Sequence, residues 1–202
     1  MTIYAIVNPL ISDNTGHLVD NPLWMVMSPS SILQGGNPYF VPDFADTFEA
    51  RPALALRIGK LGKGISPRFV ARYIESVAPA SLMIASDLLQ SLQSAGLPWS
   101  EAISYDRSLA LGKFIALPYG NIPTCTVAMN MHTPEKTDTL TWRPSELPFS
   151  IEDIISSISR DNALKTGDVI IAGIATTGLA LRPGPQVELK LDNTQSLRFN
   201  IR

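Results

Sequence analysis

The sequence predicts a mixed α+β fold dominated by β-strands. Two observations carry that expectation. Short apolar runs of strand length recur along the chain, and sixteen prolines and thirteen glycines are spread between them as turn punctuation. Helix start signals, in contrast, occur at only a few places.

Taken in order, Ile3–Val7 and Leu23–Met27 read as strands, set apart by turn chemistry such as Asn-Pro and Asp-Asn-Thr-Gly. They define a small N-terminal β segment over residues 1–40, followed by a main domain over 41–202. Ala53–Ile58 is an apolar strand-length run, and Gly59–Gly64 is a Gly/Lys turn. Ser66-Pro67 predicts a helix, with Ser as N-cap and Pro in the first turn. Phe69, Val70, Tyr73, Ile74 and Val77 follow it at helical spacing. Ser81–Ala85 is a short apolar run. Ser86-Asp87 opens a second helix over Leu88 to Ala95, closed by Gly96. Lys113–Leu117 and Thr124–Met131 read as strands. Ser150-Ile-Glu-Asp153 resembles a capping box before the stripe Ile151, Ile154, Ile155 and Ile158. Val169–Ile174, Val187–Leu191 and Leu197–Ile201 complete the strands.

Composition narrows the class. The chain has 202 residues, 45% hydrophobic and 17% charged, with a net charge of -2. That length fits one domain of ordinary globular composition. The balance of charge offers no electrostatic footprint for nucleic acid or anionic lipid, and no apolar run approaches the roughly 20 residues of a membrane span. No basic leader precedes the first apolar stretch, so the expected compartment is the cytoplasm. A single cysteine, Cys125, excludes an intrachain disulfide and a multi-Cys metal site.

Candidate chemistry is sparse. Asp43 and Asp46 fit a turn better than a ligand pair, and Glu152 and Asp153 fit a helix N-terminus. Asp13, His17 and Asp20 form a polar cluster that is weak as a metal set. His132 lies near a strand end. Cys125 sits in an apolar run and reads as a structural thiol. Gly59-Lys-Leu-Gly-Lys-Gly64 lacks the Ser or Thr that a phosphate loop would place next, so a two-lysine turn describes it better.

A set of segments in order nevertheless resembles the fumarylacetoacetate hydrolase (FAH) family. They include Asn37-Pro-Tyr-Phe-Val-Pro-Asp-Phe44, Leu56-Arg-Ile-Gly-Lys-Leu-Gly-Lys63, Ser86-Asp-Leu-Leu-Gln90, Tyr105-Asp-Arg-Ser108, Phe149-Ser-Ile-Glu-Asp-Ile-Ile155 and Leu164-Lys-Thr-Gly-Asp168. The nearest branch is that of the 2-hydroxyhepta-2,4-diene-1,7-dioate isomerases and acylpyruvate hydrolases. The resemblance implies a rolled β-sheet with peripheral helices, a homodimer, and Mg²⁺ or Mn²⁺ held by an E-x-E pair and an Asp. On this chain those three positions fall on Arg51, Ala53 and Leu82. The family's lysine falls on Ile103. Its Thr-Gly-Thr-Pro segment, whose Thr holds the substrate carboxylate, reads Ala172-Gly-Ile174-Ala175. None of these side chains ligates a hard cation.

Turn and cap residues therefore match while the site positions do not. The expectation is a family member with a degenerate site: no metal, no catalytic residue, and a role as a binding or partner subunit. It would form a homodimer or a mixed dimer with an active relative. Arg51, paired with Glu49, is the candidate anion anchor. Two alternatives stand beside this. One is an enzyme rebuilt around Arg51 with His17 or Cys125; the other is a small-molecule sensor with a pocket over Ala53, Leu82 and Ile103.

Overall fold

The structure, a computed structural model, describes residues 1–11, 21–192 and 194–202. The Asp13, His17 and Asp20 cluster lies outside them. In chain order come β1 (Ile3–Ile6), β2 (Trp24–Met27), β3 (Ile32–Leu33), β4 (Phe48–Ile58), β5 (Ile74–Ala85), α1 (Ser86–Ser94), β6 (Leu109–Leu111), β7 (Ile115–Ala116), β8 (Val127–His132) and β9 (Thr137–Trp142). Then follow α2 (Ile151–Asp161), β10 (Val169–Ile174), β11 (Leu179–Ala180), β12 (Gln186–Leu191) and β13 (Thr194–Asn200).

Among the described residues the strands form two sheets. The larger has nine strands, in the order β2-β1-β10-β4-β5-β6-β3, with β11 added to β4 and β7 to β5; the smaller runs β13-β12-β8-β9. The large sheet curls, and its long spine is the antiparallel pair β4–β5, matched from Phe48↔Ala85 to Ile58↔Ile74. β1 joins β10 in parallel and β2 in antiparallel, so the N-terminal strands belong to the large sheet with β4 and β5.

Two apolar cores lie on the two sides of this sheet. One gathers Ala53, Ala55, Ala80, Leu82 and Val169 from the large sheet with Met129, Met131, Val187, Leu189 and Phe199 from the small one. The other seats Ile151, Ile154, Ile155 and Ile158 of α2 on Leu54, Leu56 and Ile170. Ser150 caps α2 as its sequence implies: its Oγ accepts the Asp153 N–H at 3.0 Å. α1 starts at Ser86, and the Asp87 carboxylate instead ties back the Asp46 and Thr47 amides at 2.9 and 3.2 Å. Those hydrogen bonds hold its carboxyl below the ordinary range, burial acting in the opposite direction. Asp46 thus belongs to a turn, as its context predicted.

One expected element is corrected. The helix predicted from Ser66 is only a 3-10 segment, Pro67–Arg72, and the Ser66 side chain makes no capping bond. Ile74 to Ala85 is a twelve-residue strand. The spacing of apolar residues is locally helical, but Ile74 and Val77 are β-branched, and eleven cross-strand pairs with β4 outweigh a local preference. Pro79 argues against a central strand when read alone. Its carbonyl accepts the Gly112 N–H at 2.9 Å, so it still serves the sheet. β9 has no counterpart among the strands expected from sequence: Leu140 and Trp142 are its only apolar residues, and they face inward between exposed Thr137, Thr139 and Thr141.

Candidate functional site

The strand pairing brings the sequence-derived positions together. Arg51 on β4 stands directly opposite Leu82 on β5. Ala53 stands opposite Ile174 on β10. Directly opposed residues have Cβ atoms about 4.5–5.5 Å apart. Ile103 joins the same apolar cluster as Ala53, Leu82 and Ile174. The Ser108 hydroxyl donates to the Ile103 carbonyl at 2.9 Å, just before Leu109 pairs with Leu82.

The chemistry offered there is apolar. Ala53, Leu82 and Ile103 are 0% exposed and Ile174 is 1% exposed. Of these four, Ile174 lines a cleft. The polar exception is Arg51. Its Nε donates to Glu49 Oε1 at 2.7 Å, its Nη2 lies 2.6 Å from the same oxygen, and its Nη1 donates to the Pro9 carbonyl at 3.4 Å. Residues two apart on a strand share a face, which is why Glu49 and Arg51 can meet. The turn between β10 and β11 closes over them: a Cβ on Gly178 would lie 2.7 Å from Glu49 Oε2 and 3.0 Å from Arg51 Cγ. Only a glycine permits that approach.

A cleft of about 290 Å³ flanks this cluster, between the Asn8-Pro9 turn, Trp142, the Glu146–Pro148 segment, Ile174 and Thr176. It reaches the cluster at Ile174. Sequence reading missed its far wall, because Trp142 and Leu147 approach from the other core across Gly173. A Cβ there would overlap Leu147 Cδ2 and lie 2.6 Å from the Trp142 ring.

The other sequence candidates lie apart from this cluster. Cys125 packs against the α2-side core and lines a different cavity with Asp192 and Leu191. Burial pushes its thiol up to about 11, with the nearby Asp192 adding to the effect, so it is protonated near neutrality and a poor nucleophile. His132 ends β8, with Nδ1 2.9 Å from the Thr137 hydroxyl and Nε2 3.6 Å from Glu188 Oε2. Glu188 itself is a group that sequence reading passed over. It receives hydrogen bonds from Arg198 at 2.7 Å and Asn130 at 3.1 Å, with Lys190 Nζ at 3.0 Å. Burial alone would raise its carboxyl; these donors and the Lys190 charge outweigh that and bring it down to about 2. The alternation of polar residues along β12 is the signal that points to it. Tyr39 and Tyr105 share a hydrogen bond of 2.8 Å beneath Phe44 and Phe48. Burial pushes the Tyr39 phenol up to about 12, and the Tyr105 phenol higher.

The donor set does not fit the divalent cation that the resemblance implies. Arg51, Ala53 and Leu82 supply no side-chain oxygen, a guanidinium repels a cation, and among the described residues the carboxylate beside them, Glu49, is already bound by Arg51. Among the described residues no group of three or more His, Cys, Asp or Glu side chains could hold a metal ion.

A curled, mostly β half-barrel backed by a small sheet and peripheral helices, with a cluster at the meeting of β4, β5 and β10, defines the class. Fumarylpyruvate hydrolase from Pseudomonas aeruginosa, solved with Mn²⁺ and pyruvate, has this fold at a TM-score of 0.83 and 17% identity over 100% of this chain and 89% of that one. So does 5-carboxymethyl-2-hydroxymuconate delta-isomerase from Mycobacterium smegmatis, at a TM-score of 0.77 and 19% identity over 99% and 76%. By sequence, the mitochondrial oxaloacetate tautomerase FAHD1 of Mus musculus is 23% identical over 188 residues, 92% of this chain and 83% of that protein. The corresponding protein of Caenorhabditis elegans is 26% identical over 186 residues, 89% and 83%. Residues 11–202 match the model of the fumarylacetoacetate (FAA) hydrolase C-terminal domain, and the chain belongs to that family.

Proposed function

We propose that this protein is a family member that has lost metal-dependent catalysis on 2-oxo acids and acts as a non-catalytic binding or partner subunit. One observation carries the reading. Where the family resemblance calls for three carboxylates, the chain has an Arg51–Glu49 ion pair and the sealed apolar side chains of Ala53 and Leu82. Three unneutralised carboxylates in that core would repel one another and lose hydration. Ala53 and Leu82 remove the cost, and Arg51 supplies an internal cation for Glu49.

The rebuilt-enzyme alternative has less support. It needs Arg51 free to hold an anion, but Glu49 and Pro9 engage its guanidinium, and Cys125 packs on the other core. The sensor reading has less support as well: Ala53, Leu82 and Ile103 are buried, and the nearest cleft is the one beside Ile174. The same proposal includes a dimer, with a second copy or with an active relative, in the cytoplasm.

The test is turnover. Oxaloacetate and fumarylpyruvate are offered with Mg²⁺ or Mn²⁺, followed by absorbance of the enol and keto forms. The expected result is no metal-dependent rate above the buffer background. A metal-dependent rate that Arg51→Ala abolishes overturns the proposal, because contaminating enzyme would be insensitive to that change.

A further inference from the structure

Away from the cluster just described, positive charge collects on one surface. From Gly59 to Tyr73 the chain places Lys60, Lys63, Arg68 and Arg72 on the exterior. Aromatic rings hold three of them in place. Lys60 Nζ lies 4.5 Å above the Tyr73 ring, and the Arg68 and Arg72 guanidinium carbons lie 4.6 and 5.1 Å from the Phe69 centroid. The Gly59 N–H donates to the Tyr73 carbonyl at 2.8 Å, which fastens the lysine turn beside the 3-10 segment. Lys165 adjoins them, because Gly62 and Leu164 are bridged and the Thr166 hydroxyl donates to the Gly59 carbonyl. Among the described residues none of these five cations has a carboxylate partner or a side-chain hydrogen bond. Glu75 is exposed beside Gly59, and α2 brings Asp153 and Arg160 to the edge of this surface at Gly64–Ser66. Asp168 nearby is buried and satisfied by the Thr2 and Lys165 amides.

The same surface exposes two large apolar side chains, Leu61 at 68% and Phe69 at 37%. Arginine beside exposed apolar side chains is a composition enriched at interaction surfaces. In a chain of net charge -2 this concentration is local and leaves the rest of the molecule negative.

We propose that the Lys60–Arg72 surface docks an acidic segment of a different protein, one in which apolar residues lie among Asp and Glu. The inference rests on the partner-subunit reading and names the partner's chemistry. Guanidinium groups pre-oriented on an aromatic ring present their N–H forks to carboxylates at reduced entropic cost. A second copy of this chain is the wrong partner. A two-fold axis through the patch would set Lys60, Arg68 and Arg72 against their own copies. A single-stranded nucleic acid would stack its bases on free aromatic faces, but both nearby rings already carry cations. An anionic lipid surface would gain little beyond charge, since Leu61 alone is free to insert.

The experiment measures fluorescence anisotropy of a labelled short peptide alternating Glu and Leu, titrated with the full chain at low and at high salt. Binding is expected at low salt and should weaken as salt rises. Arg68→Glu with Arg72→Glu should weaken it by about tenfold or more, whereas Lys136→Glu with Arg182→Glu, on other surfaces, should not. Absence of binding, equal weakening by both pairs, or tighter binding of phosphatidylserine vesicles or of a single-stranded oligothymidylate overturns the proposal. Turnover of a 2-oxo acid would sink the non-catalytic reading and leave this docking intact; lost peptide selectivity would do the reverse.

Discussion

Arg51 is the charged member of the cluster on β4, and the proposed loss of the metal site turns on it. Its guanidinium is largely shielded and bound to a carboxylate of similar burial, with side-chain exposures of 16% and 22%. Exposed ion pairs contribute about 0–1 kcal/mol, while breaking a fully buried one costs about 3–5. An intermediate cost of about 1–2 kcal/mol is expected for Arg51→Ala, because Glu49 would be left facing Gly178 without a cation. Urea unfolding of Arg51→Ala, Glu49→Gln and the double variant isolates the pair. A coupling near zero would mean that Arg51 serves something other than Glu49. The pairing of residues 49 and 51 was legible in sequence, since alternate strand residues share a face. The Pro9 carbonyl was not, because nothing local joins residue 9 to residue 51.

At the scale of elements, local signals identified what local forces build. α2 carries its cap and stripe where the sequence puts them, and β10 and β12 appear as apolar runs. Failure came where a partner strand decides, as with Ile74–Ala85, whose helical spacing yields to β4. The small sheet offers the clearest test of an element. On its outward face Glu188 of β12 is gripped by Arg198 of β13, Asn130 of β8 and Lys190 of its own strand. Its carboxyl is depressed to about 2 from an ordinary 4.5. The stability this adds is therefore fully present above pH 4.5 and is lost as pH falls from there toward 2. Glu188→Gln should be less stable than the native chain at neutral pH. The gap should narrow as pH falls through that window, read from urea midpoints along a pH series. A constant gap would place the carboxylate's contribution in packing rather than charge.

Across the whole molecule, fold and site differ in how sequence records them. Turns, caps and strand runs are short-range, and their match to the family made the half-barrel legible. The site is assembled by pairing between residues up to 121 positions apart, as Ala53 opposite Ile174 shows. Composition alone therefore left it invisible, and only the ordered resemblance located it. The cleft wall of Trp142 and Leu147 lay beyond that reach. If the scaffold is intact and only its donors are gone, restoring them should restore a cation site. Arg51→Glu, Ala53→Glu and Leu82→Asp together would put three carboxylates beside Glu49. Without metal this variant should be less stable than the native chain by about 3–5 kcal/mol, from unpaired buried charge. With Mn²⁺ at a hundred times its dissociation constant, about 2.7 kcal/mol should return. The readout is the thermal midpoint with and without Mn²⁺, which should shift in the variant and stay fixed in the native chain. The pair Arg51→Glu with Ala53→Glu, which spares Leu82, serves if the triple variant does not fold. A variant indifferent to Mn²⁺ would show that these positions do not form a cation site on this scaffold, and a native chain stabilised by Mn²⁺ would show that its own site was never lost.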